Sequence, residues 1–203
     1  MIIELVDLAR SLAQTHAFLC YTFVFLISYL ESFAFVGLII PGAGFAFSVG
    51  LMAYHNILNI FFCILSGAIG AILADLSSFF LAKYLRDKRA FFKIKQKYSE
   101  QIEKGEDFFD KYGAVSVFIG RFIGIFRPVI PFIAGLLNMN PLLFIFFSSL
   151  SGILWGISYF GSGYLFGMGI TYVDFTDPKI IALFILILIL IYLLSKRIKK
   201  TKS

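Results

Sequence analysis

The stretch from residue 113 to residue 137, GAVSVFIGRFIGIFRPVIPFIAGLL, decides how the chain folds. It is apolar enough to enter a bilayer. Yet it carries Arg121 and Arg127, and Gly124, Pro128, Pro131 and Gly135 interrupt any regular helix. Proline removes a backbone donor and clashes with the preceding turn. Broken backbone at membrane depth survives only where protein or water satisfies it. The segment therefore reads as a broken, re-entrant hairpin.

Residues 17–53 repeat the pattern: a long apolar run with Glu31 inside it, followed by Pro41-Gly42-Ala43-Gly44. An unbroken helix of that length would overshoot a hydrocarbon core of roughly 30 Å. A second hairpin, broken at Pro41 and Gly42, is the simplest shape; two full spans with a tight turn are the alternative. Residues 57–82 form an ordinary span, in which Gly67, Gly70 and Ala71 permit close helix approach and Asp75 lies in the last third. Residues 141–168 form another, with Gly163 and Gly167 on one face. Residues 180–194 form a final short one.

Composition agrees. Hydrophobic residues make up 60% of the 203 positions, and 26 are Phe against one Trp. Mean hydropathy is +0.90. A soluble domain of this length could not hide that surface, so lipid is the solvent for much of it. The net charge of +6 is concentrated in 83–111 and in the tail Lys196, Arg197, Lys199, Lys200, Lys202, both beside apolar spans. Positive-inside topology explains this better than nucleic-acid binding. Loop 83–111, which reads as helical, and the tail are thus expected in the cytoplasm and 170–178, with Asp174 and Asp177, outside. By parity the two hairpins enter from opposite faces, as in transporters.

The expected fold is an all-α integral membrane protein. An interfacial amphipathic helix (1–16) precedes a membrane domain (17–168) of two opposed re-entrant hairpins and spanning helices, then a C-terminal span and basic tail (178–203). About three transmembrane helices are expected. No cleaved signal peptide is evident, since Glu4 and Asp7 occupy the start.

Four ionisable side chains lie deep in apolar context: Glu31, Asp75, Arg121 and Arg127. Each would cost roughly 2.5–3.5 kcal/mol at a bilayer centre. Mutual pairing recovers much of that, so structural ion pairs stapling the hairpins are one reading. A central site for a charged substrate group is the other, and the Pro and Gly breaks favour it. Six residues apart, the arginines would point about 120° apart on a straight helix. They converge on one anion only where the backbone deviates, at Gly124 and Pro128. Two guanidiniums in a dry site suit a phosphate, which they bind with forked donors. Desolvation favours a protonated Glu31, which suits a proton carrier, whereas a nearby arginine favours its ionised form.

Enzyme chemistry is not expected. His16 and His55 have no metal or nucleophile partner at a meaningful spacing. Arg127-Pro128 resembles the start of a lipid-phosphatase signature, but Gly120 stands where its Lys belongs and the Ser-Gly-His is absent. Gly161-Ser162-Gly163 lacks a histidine base. Cys20 and Cys63 read as small buried hydrophobes. No metal and no cofactor are expected.

From Phe108 to Gly167 the chain resembles the DedA family of membrane proteins, also called the SNARE-associated or VTT-domain group. The resemblance rests on Phe108-Phe109-Asp110-Lys111-Tyr112-Gly113, Gly120-Arg121-Phe122-Ile123, Arg127, Pro131, Ala134-Gly135, Met139, Gly152, Trp155 and Gly163-Tyr164-Leu165-Phe166-Gly167. Leu30-Glu31, Ile40-Pro41-Gly42, Gly70 and Asp75 extend it, so it covers about 25–167. It implies two opposed re-entrant hairpins and lipid translocation, with undecaprenyl phosphate or phospholipids such as phosphatidylethanolamine as substrates. Eukaryotic relatives are scramblases, and some bacterial members depend on the proton motive force. It also implies Glu31 as a coupling or gating acid and Arg121 and Arg127 as phosphate-binding residues. Two departures stand out. Ala43 occupies a position that is acidic in many members, with Asp75 a candidate substitute, and Pro128 replaces a small polar residue.

The expected function is therefore a flippase- or scramblase-like lipid transporter of the bacterial cytoplasmic membrane. Its partners would be membrane lipids and protons, with no nucleic acid and no oligomeric state specified. The alternatives are a proton-coupled exporter of small cations, held by Glu31 and Asp75, and a non-transporting membrane scaffold.

Overall fold

A computed structural model describes residues 11–172, apart from 12, 14, 40, 41, 87 and 125. The expected N-terminal amphipathic helix, the external loop 170–178 and the C-terminal span lie wholly or largely outside the described residues. So does Pro41. The chain divides into two units, Met1–Gly167 and Met168–Ser203.

Among the described residues every regular element is a helix and none is a strand. Helix α1 is Ala17–Ser32, α2 Gly42–Tyr54, α3 Ile60–Leu85, α4 Arg89–Lys97, α5 Ser99–Tyr112, α6 Ser116–Gly120, α7 Ile130–Leu136 and α8 Pro141–Tyr172. Helices α3 and α8 are long and apolar enough to cross a membrane, whereas α1 and α2 are shorter. At 1.5 Å per residue the 13 residues of α2 cover only about 20 Å, short of a hydrocarbon core.

Local chemistry sets the helix ends. Asn59 caps α3 by accepting from the Phe61 amide at 2.9 Å. Asn140 likewise accepts from the Leu142 amide at 2.8 Å ahead of Pro141, the first residue of α8. Gly113, at φ 56°, ends α5 in a conformation a side chain would resist.

Helix α3 is the central element. Its inner face carries small and polar residues, among them Gly67, Ala71, Ala74, Asp75 and Ser78, all buried. Its outer face presents Phe61, Leu65, Ile69, Leu73 and Phe80, all exposed. A soluble helix would show the reverse. Helix α1 and helix α7 both pack on α3. The approach is close: a Cβ at Gly70 would lie 2.4 Å from the Phe25 carbonyl oxygen, and one at Gly135 would lie 2.2 Å from that of Phe79. Helix α8 meets α2 in the same way, with Gly163 set against the Phe47 carbonyl and Gly50 against that of Phe160. The small residues expected at helix contacts in 57–82 and 141–168 sit at such contacts.

The breaks differ in detail from expectation. The first opens at Phe33, directly after Glu31 and Ser32, and runs through a 3₁₀ turn at Val36–Leu38. Gly42 begins α2 beyond it. No Pro or Gly starts this break; Phe35 adopts a left-handed conformation, at φ 60°. Such strain in a bulky residue persists only where its surroundings fix it. Phe35 is stacked on Tyr98 at 4.3 Å and edge-on to Phe132 at 5.1 Å. The second break runs from Arg121 to Val129 and contains Gly124 and Pro128. Pro131 and Gly135, expected to break the chain, instead lie inside α7. Proline is tolerated in a first helical turn, and Gly135 serves the contact with Phe79.

The expected cytoplasmic loop 83–111 is two helices, and α5 is more than a connector. Ile102 and Gly105 are buried, with Gly105 packed against Val129 and Ile133. The amphipathic α5 thus covers the second break.

Candidate functional site

The two breaks bring Glu31, Asp75, Arg121 and Arg127 together in the interior, each less than 10% exposed. Glu31 is the last residue but one of α1, Asp75 lies past the middle of α3, and both arginines lie on the second break. That break supplies the backbone deviation without which the arginines would diverge.

Arg127 donates through Nη1 to Glu31 Oε1 and through Nη2 to Ser32 Oγ at 3.0 Å. Its guanidinium lies 4.1 Å from the centre of the Trp155 ring, a cation–π contact away from water. Arg121 donates through Nη2 to Asp75 Oδ2 and through Nε to Ser151 Oγ at 3.0 Å. Asp75 Oδ2 accepts a second bond, from Ser148 Oγ at 2.7 Å. Each acid also lies within electrostatic range of the other's arginine. Two acids and two guanidiniums thus form one neutral cluster, the arrangement that makes buried charge tolerable.

Among the described residues, Arg121 Nη1, Arg127 Nε and Asp75 Oδ1 are buried without a hydrogen-bond partner. Each arginine therefore has one guanidinium nitrogen that the cluster leaves without a partner. Glu31 is held by one donor, whereas Asp75 is held by two, so Glu31 is the acid more easily released.

The breaks also interlock. A Cβ at Gly37 would lie 1.8 Å from the Glu31 carbonyl oxygen and 3.0 Å from Pro128 Cβ, so the first break folds over its own helix end and touches the second. Ser78, one turn beyond Asp75, accepts from the Ala34 amide at 2.9 Å and ties the first break to α3.

Reading single residues misses Ser32, Ser148 and Ser151 as partners of the cluster. Their signal is spacing: Ser148, Ser151 and Trp155 fall at i, i+3 and i+7 on α8, one face of an apolar helix. Among the described residues no group of His, Cys, Asp and Glu could hold a metal ion. Cys20 and Cys63 are free thiols, and Cys63 is buried. His16 is remote from the cluster and borders an apolar cavity of about 600 Å³ between α1 and α2, lined by Leu19, Phe23, Phe45, Val49 and Met52.

The VTT domain family matches residues 40–165. An uncharacterized membrane protein of Buchnera aphidicola subsp. Schizaphis graminum is 33% identical over 185 residues, spanning 88% of this chain and 73% of the relative. The inner membrane protein YabI of Escherichia coli K12 is 31% identical over 72% of this chain and 58% of its own length. Protein DedA of the same organism is 27% identical over 72% of this chain and 68% of its own. No solved structure matches. With its VTT domain, its lipid-ready outer face and these relatives, the chain belongs to the DedA family of membrane proteins.

Proposed function

We propose that the chain moves a phosphate-bearing lipid across the bacterial cytoplasmic membrane, and that it is a transporter and not an enzyme. The observation that carries this reading is the pair of buried donors, Arg121 Nη1 and Arg127 Nε, that have no partner within the neutral cluster. A lipid phosphate engaging them would leave its tails on the apolar outer faces of the helices. In this reading the two broken segments are re-entrant hairpins opening to opposite faces, with loop 83–111 and the C-terminal tail in the cytoplasm.

Neutrality supplies a role for Glu31. The cluster holds two acids and two bases, so an entering phosphodiester adds one uncompensated negative charge in a low-dielectric site. One proton taken up by Glu31 restores balance and releases Arg127 to the phosphate. A zwitterionic lipid such as phosphatidylethanolamine brings its own ammonium and needs no such proton. A phosphomonoester such as undecaprenyl phosphate carries more charge and needs it more. With Ala43 as the second residue of α2, no second acid follows the first break, so coupling falls to Glu31, with Asp75 as its partner in the cluster.

A scaffold reading has one observation in its favour: each of the four charges already has an opposite partner. Proteoliposomes holding a headgroup-labelled phospholipid separate the two readings, through the rate at which an external reductant bleaches inner-leaflet label. Removing one charge-assisted contact of about 1.5–3 kcal/mol slows the process about 10- to 150-fold. Wild type is expected to move lipid, and Arg121→Ala and Arg127→Ala to be slowed by that factor. Movement no faster than in empty vesicles supports the scaffold. Equal rates in wild type and both variants overturn the phosphate site.

A further inference from the structure

The amphipathic helix α4 is not used by the transport site. It follows directly on the inner end of α3, whose lipid-facing stripe finishes with Phe80 and Tyr84, both exposed. Between residues 83 and 97 the sequence has seven Lys or Arg against Asp87 alone. Fixing topology requires only the charge. The structure adds a docked helix: Phe91 and Ile94 pack against the cluster containing Ile102 and Phe132, which orients the remaining faces outward. Phe92 is 73% exposed. One turn before and after it stand Lys88, Arg89, Lys95 and Gln96, three of them cations. Lys88 Nζ lies 4.1 Å from the centre of the exposed Tyr84 ring, where the lipid-facing stripe ends.

An exposed phenyl ring on a basic helix, continuous with a lipid-facing helix surface, matches the boundary between acyl chains and phosphates. We infer that α4 is a binding site for anionic phospholipid headgroups, with Phe92 inserted among the upper acyl carbons. Basic residues beside a membrane helix attract anionic lipid, and the attraction is screened by salt. This site is separate from the arginine cluster and does not depend on transport.

The test uses the full chain carrying Phe92→Trp in phosphatidylcholine vesicles. Chain-brominated quencher is introduced either on phosphatidylglycerol or on phosphatidylcholine, at equal mole fraction. Trp155, fully buried, gives a constant background and reports that the fold is intact. Quenching is expected to be severalfold stronger from phosphatidylglycerol and to weaken with salt. Combining Phe92→Trp with K88Q, R89Q and K95Q should erase the preference, at up to about fivefold per cation removed at low salt. Equal quenching from the two lipids, a preference that survives the triple neutralisation, or no quenching from either overturns the inference.

Discussion

Replacing Arg127 by Met tests how the two breaks are held. Arg127 is 96 positions from Glu31 in sequence and bonds to it across the interior, while also bonding Ser32 and lying over Trp155. Removing one partner of a buried pair leaves an uncompensated charge and costs about 3–5 kcal/mol. Against a typical total of about 5–15 kcal/mol, that is a large share. The lost Ser32 bond and Trp155 contact lie within the same penalty, because all three involve one guanidinium. Glu31→Leu should cost a similar amount by stranding Arg127. The double variant Glu31→Leu/Arg127→Met replaces the pair by apolar groups of similar size and should cost less than either single change. Unfolding in mixed detergent micelles can be followed through Trp155, the sole tryptophan, which sits against the pair. A double variant whose loss equals the sum of the single losses would refute an interlock through this pair.

Further expectations follow from the same geometry. Gly135→Ala places a Cβ 2.2 Å from the Phe79 carbonyl oxygen, so it should destabilise by about 1–3 kcal/mol in the same unfolding assay, whereas Gly124→Ala meets nothing within 4 Å and should be near neutral. Tyr98→Ala removes the stack that fixes the left-handed Phe35, so limited proteolysis should cut faster in residues 33–39. Glu31→Gln fixes a neutral side chain beside Arg127, so downhill movement of an anionic lipid should persist while its response to an imposed pH gradient disappears. A retained response would move the proton site elsewhere.

The four charges, the second break and the lipid-facing composition are legible in sequence, because charge in apolar context and Pro-Gly punctuation are local signals. Pairing is not. Glu31 finds Arg127 across 96 positions and Asp75 finds Arg121 across 46, and no periodicity links them. The start of the first break is hidden for a different reason. Phe33 and Phe35 have no intrinsic tendency to leave a helix, and it is Tyr98 and Phe132, brought in by α5 and α7, that hold Phe35 where it is. Pro131 and Gly135 mislead in the opposite sense: their types suggest a break, while their positions serve a helix start and a close helix contact. The serines of α8 are masked by the apolar run around them and become visible only at helical spacing.

The central claim is that Arg121 and Arg127 hold a lipid phosphate, and it can be measured at the atoms involved. The sequence has six arginines, so changing Arg10, Arg86, Arg89 and Arg197 to Lys leaves only these two. With nitrogen-15 guanidinium labels in proteoliposomes, dipolar dephasing by lipid phosphorus-31 reports direct contact. Dephasing is expected from these two guanidiniums, falling to baseline when Arg121 and Arg127 are also replaced by Lys. Guanidiniums that show no dephasing in lipid, while the protein still moves that lipid, would contradict the claim.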